Sequence, residues 1–72
     1  MLKESKDALA RRLVETYSDQ LLRLGYSLLN SVPDAQDVCQ EVLLKRLDYA
    51  GTFESQAHER AWLVRVTINA CK

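Results

Sequence analysis

The sequence is short of residues that turn a chain. Two glycines and one proline in 72 residues leave few places for tight connections. A sheet of short strands needs more of them, so a few long helices are expected instead. Cysteine is also scarce. Cys39 and Cys71 lie far apart, and His58 is the sole histidine, so neither a zinc pattern nor a CxxC motif is present. Both thiols are expected to be reduced and buried on apolar helix faces. No apolar run approaches the roughly 18 residues of a membrane span. No unbroken apolar stretch follows the N-terminal lysines, so the start does not read as a signal peptide. A cytoplasmic location is expected. The formal net charge is zero, which argues against a free-standing binder of duplex DNA. No nucleophile is grouped with a base, and the histidine lies near no expected acid pair. Catalysis, a cofactor and a metal are therefore not expected.

What is present is 47% hydrophobic residues, enough for a globular chain. At this length residues 1–72 make one domain with a small core. Its burial roughly offsets a conformational entropy cost of about 1.5 kcal/mol per ordered residue. The first helix is expected from Ser5 to Leu29, with Ser5 or Asp7 as its cap. Ala10, Leu13, Val14, Tyr17, Leu21, Leu24 and Leu28 form its apolar stripe. Arg11, Arg12, Glu15, Asp19 and Arg23 lie away from that stripe. Gly25 costs about 1 kcal/mol inside a helix relative to alanine, and close approach of another helix is the expected reason.

Asn30-Ser31-Val32-Pro33-Asp34 makes the first connection. Asn30 or Ser31 caps the second helix, Pro33 suits its first turn, and Asp34 and Asp37 suit its positive end. The helix is expected to reach Tyr49, burying Ala35, Val38, Cys39, Val42, Leu43 and Ala50. Arg46 falls in the middle of that face, so it must snorkel or meet a carboxylate. The outward side carries Asp34, Gln36, Asp37, Gln40, Glu41 and Lys45, with Leu44 and Leu47 among them. Leucines ringed by acids and amides fit a protein-binding face for a basic partner.

Gly51-Thr52-Phe53-Glu54 makes the second connection, with Phe53 placed to plug the core at a turn. Ser55 is the expected cap of the third helix, with Glu59 in its first turns. That helix is apolar on two sides: Ala57, Ala61, Val64, Ile68 and Cys71 on one, Trp62, Leu63, Val66 and Ala70 on the other. Between them runs a polar stripe of His58, Arg65, Asn69 and Lys72, with no acid in it. Such a stripe could follow a phosphate backbone or touch bases, and Asn69 is equally readable as a solvated amide or as a base-edge contact.

These residues together resemble conserved region 2 of bacterial RNA polymerase sigma factors, most closely the extracytoplasmic-function group. LVETYSDQLLRLGYSLL resembles the group's first long helix. DAQDVCQEVLLKRL is similar to its polymerase-binding helix, with D-x-x-Q-E at Asp37, Gln40 and Glu41. FESQAHERAWLVRVTINACK resembles its promoter-melting segment, with W-L-x-R-x-x-x-N at Trp62, Leu63, Arg65 and Asn69. The resemblance implies an all-α, compact three-helix bundle. It implies that Asp37, Gln40, Glu41, Leu43, Leu44 and Leu47 dock on the β′ clamp helices of polymerase. It implies that Phe53, Arg65 and Asn69 meet the non-template strand of the minus-ten promoter element, Asn69 at a base flipped from the stack; His58 and Lys72 join this expected DNA-binding set by their place on the polar stripe. An anti-sigma factor is a further implied partner. The departures are Arg46 and Leu47, where the family usually has an apolar residue and often a tryptophan, and Gly25, which replaces a usual alanine. The family chain continues with more of the reading helix and a second helical domain. The sequence is thus expected to be a fragment whose Cys71 and Lys72 fray and whose open apolar end can pair with a second copy. The alternative is a small helical protein-interaction module without nucleic-acid binding. Exposure or burial of the polar stripe bears on the choice.

Overall fold

A computed structural model describes residues 5–72. Three helices follow one another: α1 (Lys6–Leu29), α2 (Val32–Asp48) and α3 (Gln56–Ala70). The architecture is the expected all-α bundle, with no strand among the described residues.

The helix starts follow from local chemistry. Ser5 Oγ accepts from the Ala8 amide at 3.1 Å, Ser31 Oγ from Asp34 at 3.4 Å and Ser55 Oγ from His58 at 3.1 Å. Each serine satisfies one of the amides that a helix start leaves without a partner. Of the two candidates for capping α2, Ser31 does so. Asn30 instead ends α1, in the left-handed region at φ 56°, ψ 34°, where its amide donates to the Tyr26 carbonyl at 2.7 Å. Asparagine tolerates this conformation better than most residues. Two residues thus suffice to fold α2 back along α1. The end of α2 returns to the start of α1, where Lys6 Nζ and Asp48 lie 3.9 Å apart at the surface.

Leu13, Tyr17 and Leu21 from α1, Cys39 and Val42 from α2 and Leu63 from α3 form the buried core. On α1 the buried row is Leu13, Tyr17, Leu21 and Gly25, spaced by four residues; on α3 it is Glu59, Leu63 and Thr67. Rows spaced by four are inclined to the helix axis, so the contact seam rotates around the helix along its length. This corrects the expected stripe. Val14 and Leu28 keep 50% and 48% of their surface exposed, because at their heights the seam has moved to Leu13 and Gly25. Ala50, expected in the core, lies beyond the end of α2 and is exposed. Gly25 behaves as anticipated: a Cβ there would sit 3.3 Å from the Ala35 Cβ and 3.4 Å from its Cα. The α1–α2 crossing is set at backbone range.

The two apolar sides of α3 have different fates. The Trp62, Leu63, Val66 and Ala70 side packs on the core. Ala57, Ala61 and Ile68 on the other side stay exposed. Thr67 is fully buried yet satisfied, its hydroxyl donating to the Leu63 carbonyl at 2.8 Å. Both cysteines are free; Cys39 is buried as expected, whereas Cys71 is only partly so. No helix among the described residues is long and apolar enough to cross a membrane.

Candidate polymerase and nucleic-acid surfaces

The outward face of α2 presents Asp37, Gln40, Glu41 and Leu44, all exposed. Leu44 keeps 54% of its surface open. Leu43 and Leu47 are half-buried and pack on the core, so the six residues expected to act together form an exposed set of four and a partly sunken pair. Glu41 pairs with Lys45 at 3.8 Å, one helical turn on, in an exposed contact that contributes only about 0.3–0.5 kcal/mol. A groove of 390 Å³ runs beside the leucines, and α1 supplies its far wall through Ala10, Val14 and Leu22. The sequence pattern gave no sign of this contribution from α1. Val14, apolar and left open by the inclined seam, is the residue that creates it.

The second surface comprises the α2–α3 loop and the outer side of α3. His58, Arg65, Asn69 and Lys72 are all exposed, which keeps the nucleic-acid reading open. Arg65 and Asn69 also border an open groove of 490 Å³ floored by Ala57, Ala61, Val64 and Ile68. Arg65 and Asn69 therefore stand at the edge of a shallow channel with apolar side chains at its bottom.

Phe53 is half-buried at the centre of a ring cluster. Its centroid lies 5.4 Å from Tyr49, 5.9 Å from Trp62 and 5.1 Å from His58, and Tyr49 stacks on Trp62 at 5.1 Å. Tilted and edge-on geometries at these distances are the favourable ones. His58 also acts through its ring nitrogen. Its Nδ1 accepts the Glu54 amide at 3.2 Å, fastening the loop to the first turn of α3. The structure thus brings Phe53 and His58 together, while Arg65, Asn69 and Lys72 lie farther along the helix.

Beneath Phe53 lies the feature that sequence reasoning missed. Glu59 of α3 is buried, and its oxygens accept from side chains of the other two helices. Arg46 Nε of α2 donates to Oε2 at 2.8 Å. Arg12 of α1 donates through both terminal nitrogens, at 3.1 and 3.3 Å. The Tyr17 hydroxyl donates to Oε1 at 2.9 Å, with the Gln56 carbonyl 3.4 Å away as a second acceptor. Arg46 therefore meets a carboxylate, the second of its two expected options. Arg12, placed outside the apolar stripe, reaches in to the same group. The signal was present in the sequence: a cation on a buried face requires an acid, and Glu59 stands four residues before the core residue Leu63.

The electrostatics follow. Burial alone would raise the Glu59 carboxyl, but hydrogen bonds from Arg12, Arg46 and Tyr17 outweigh it and hold the group below its ordinary value. Tyr17 is pushed up by burial and by the adjacent carboxylate. Burial also raises the Cys39 thiol. The Arg46 guanidinium, fixed by Glu59, lies 4.7 Å from the centroid of the Phe53 ring. Among the described residues no group of three or more His, Cys, Asp or Glu could hold a metal ion.

Known proteins are similar to this chain in sequence. The family description Sigma-70 region 2 matches residues 13–72. Over 67 residues the chain is 30% identical to the ECF RNA polymerase sigma factor SigW of Bacillus subtilis (strain 168), a match covering 93% of this chain and 35% of that protein. It is 35% identical over 57 residues to the ECF RNA polymerase sigma factor SigG of Mycobacterium tuberculosis, covering 79% of this chain and 15% of the relative. It is 33% identical over 60 residues to the RNA polymerase sigma-H factor of Pseudomonas aeruginosa, covering 83% and 31%. The chain thus spans between 15% and 35% of the length of these relatives. No solved structure matches it.

Proposed function

The chain belongs to the sigma-70 region 2 family, and from that premise we propose that it docks RNA polymerase through α2 and captures the opened minus-ten strand with the α2–α3 loop and α3. Asp37, Gln40, Glu41 and Leu44 make the docking face toward the β′ clamp helices, with Leu43 and Leu47 as its partly buried flank. Phe53 stacks on an unpaired base, and Arg65 and Lys72 follow the phosphates. Asn69 reads a base edge, and His58 holds the loop that carries Phe53. The domain acts within a longer, cytoplasmic sigma factor, and an anti-sigma factor would cover the same two surfaces.

One observation carries this reading: Asp37, Gln40, Glu41 and Leu44 on α2, and Arg65, Asn69 and Lys72 on α3, all stand exposed and outside the buried core. Exposed polar groups that the core does not use are available to partners. The charges are sorted accordingly. The docking face carries Asp37 and Glu41, whereas the outer side of α3 carries Arg60, Arg65 and Lys72. Zero net charge gives such a domain little affinity for duplex DNA until polymerase adds contacts. Flipping a base costs a few kcal/mol, which stacking and edge hydrogen bonds offset.

Two substitutions test the two surfaces separately. Glu41→Lys should abolish binding to a β′ clamp-helix fragment with the helical spectrum unchanged. Asn69→Ala should lower discrimination between cognate and scrambled single-stranded minus-ten oligonucleotides in the polymerase-bound complex. Undiminished clamp affinity in the first variant removes α2 from the docking role; parental discrimination in the second removes Asn69 from the site.

A further inference from the structure

Among the described residues Glu59 is the buried carboxylate that the proposed function does not use, and its geometry points at the loop. Its Oε2 accepts from Arg46 Nε at 2.8 Å, and the same guanidinium lies 4.7 Å from the Phe53 centroid. Phe53 therefore has a cation over its ring and Tyr49, Trp62 and His58 as ring neighbours, and it stays partly exposed. Each ring contact is modest in strength, and the cation over the ring adds to them. A guanidinium clamped by a buried carboxylate does not slide. Arg12, anchored on α1, braces the same carboxylate at 3.1 Å. Phe53, Thr52, Arg46 and Thr16 wall a polar recess of 530 Å³ in which Glu59 takes part.

We propose that Glu59 is a positioning residue for strand capture: through Arg46 it fixes the pose of Phe53 before any strand arrives. The inference rests on the role of Phe53 proposed above. It extends that role by naming what preorganises the loop, a condition for tight capture because ordering a loop on binding weakens it. Glu59 itself touches no nucleotide.

The test uses the chain bound to polymerase core and two variants. Glu59→Gln keeps the shape and removes the charge. The double variant R46M/E59L replaces the buried pair by apolar groups of similar size. Melting curves report folding, proton NMR of the Phe53 ring reports its pose, and oligonucleotide competition reports discrimination for the minus-ten strand. The expected result is a folded variant with parental affinity for the clamp helices, averaged Phe53 ring signals, and discrimination reduced about tenfold. A folded variant of either kind with parental discrimination overturns the proposal. So does loss of folding in both, which would make the network a support of the whole bundle rather than of the loop. Absence of discrimination in the parent chain would instead count against the proposed function, so the two failures are distinguishable.

Discussion

Removing the Glu59 carboxylate should be among the most damaging changes available to this domain. Glu59→Ala leaves Arg46, whose side chain is 11% exposed, as a buried cation without a counter-ion. It also deprives the Tyr17 hydroxyl of its shorter hydrogen bond. Breaking a buried pair by removing one partner costs about 3–5 kcal/mol. The Arg12 arm adds less, because its side chain is 39% exposed and can turn to solvent. A domain of this size holds only about 3–5 kcal/mol in total, so Glu59→Ala should be largely unfolded at 25 °C. Glu59→Gln should cost about 2–3 kcal/mol, the range for lost charge-assisted hydrogen bonds. R46M/E59L should lie within about 1–2 kcal/mol of the parent, since apolar replacement of a buried pair is often neutral. Urea unfolding followed by circular dichroism gives all three. The pH dependence is a separate check. The folded carboxyl is held below its unfolded value, so the stabilisation is complete above about pH 4.3 and fades as pH falls through the folded value. The gap between parent and Glu59→Gln should therefore narrow between pH 6 and pH 3. A cost below about 1 kcal/mol for Glu59→Ala, or a gap that stays constant in acid, would refute the assignment of Glu59 as the charged centre of the bundle.

Two further outcomes follow from the fold. Val14→Lys places a cation on the exposed wall of the groove beside Leu44; thermal stability should change by less than about 0.5 kcal/mol, as is usual at surface positions. Affinity for the clamp-helix fragment should drop measurably by calorimetry if α1 shares the docking face. Asn30→Ala puts a residue with no local hydrogen-bonding side chain into the left-handed position, so the midpoint of unfolding should fall by an amount equivalent to about 1–2 kcal/mol; Asn30→Gly should not lower it.

Helix boundaries were readable because each start carries a serine whose hydroxyl does the capping, and the first connection carries Asn30 and Pro33. Gly25 was readable because a glycine in a helix has few inexpensive explanations. The burial of Val14 and Leu28 was misjudged for a tertiary reason. A flat helical wheel assumes a seam parallel to the axis, whereas the packed seam is inclined, and only the neighbouring helix sets that angle. The two apolar sides of α3 have nearly equal weight in sequence, so local pattern could not choose between them. Glu59 escaped for a different reason: its partners Arg12 and Arg46 are 47 and 13 residues away, beyond the reach of any helical period. The exposed residues of α2 and the α3 stripe were legible as a pattern, but the roles proposed for them rest largely on family resemblance, and only the structure joined His58 to the loop.

The last turns of α2 look in two directions. Leu44 faces outward, and Arg46, two residues later and on the opposite side, grips the loop through its contacts with Glu59 and Phe53. One residue inserted between Val42 and Leu44 would rotate everything after it by about 100°. The outer leucine and the inner arginine would lose their stations together. This turn can thus accept exchange of the outward Leu44, but neither the loss of Arg46 alone nor a change in length.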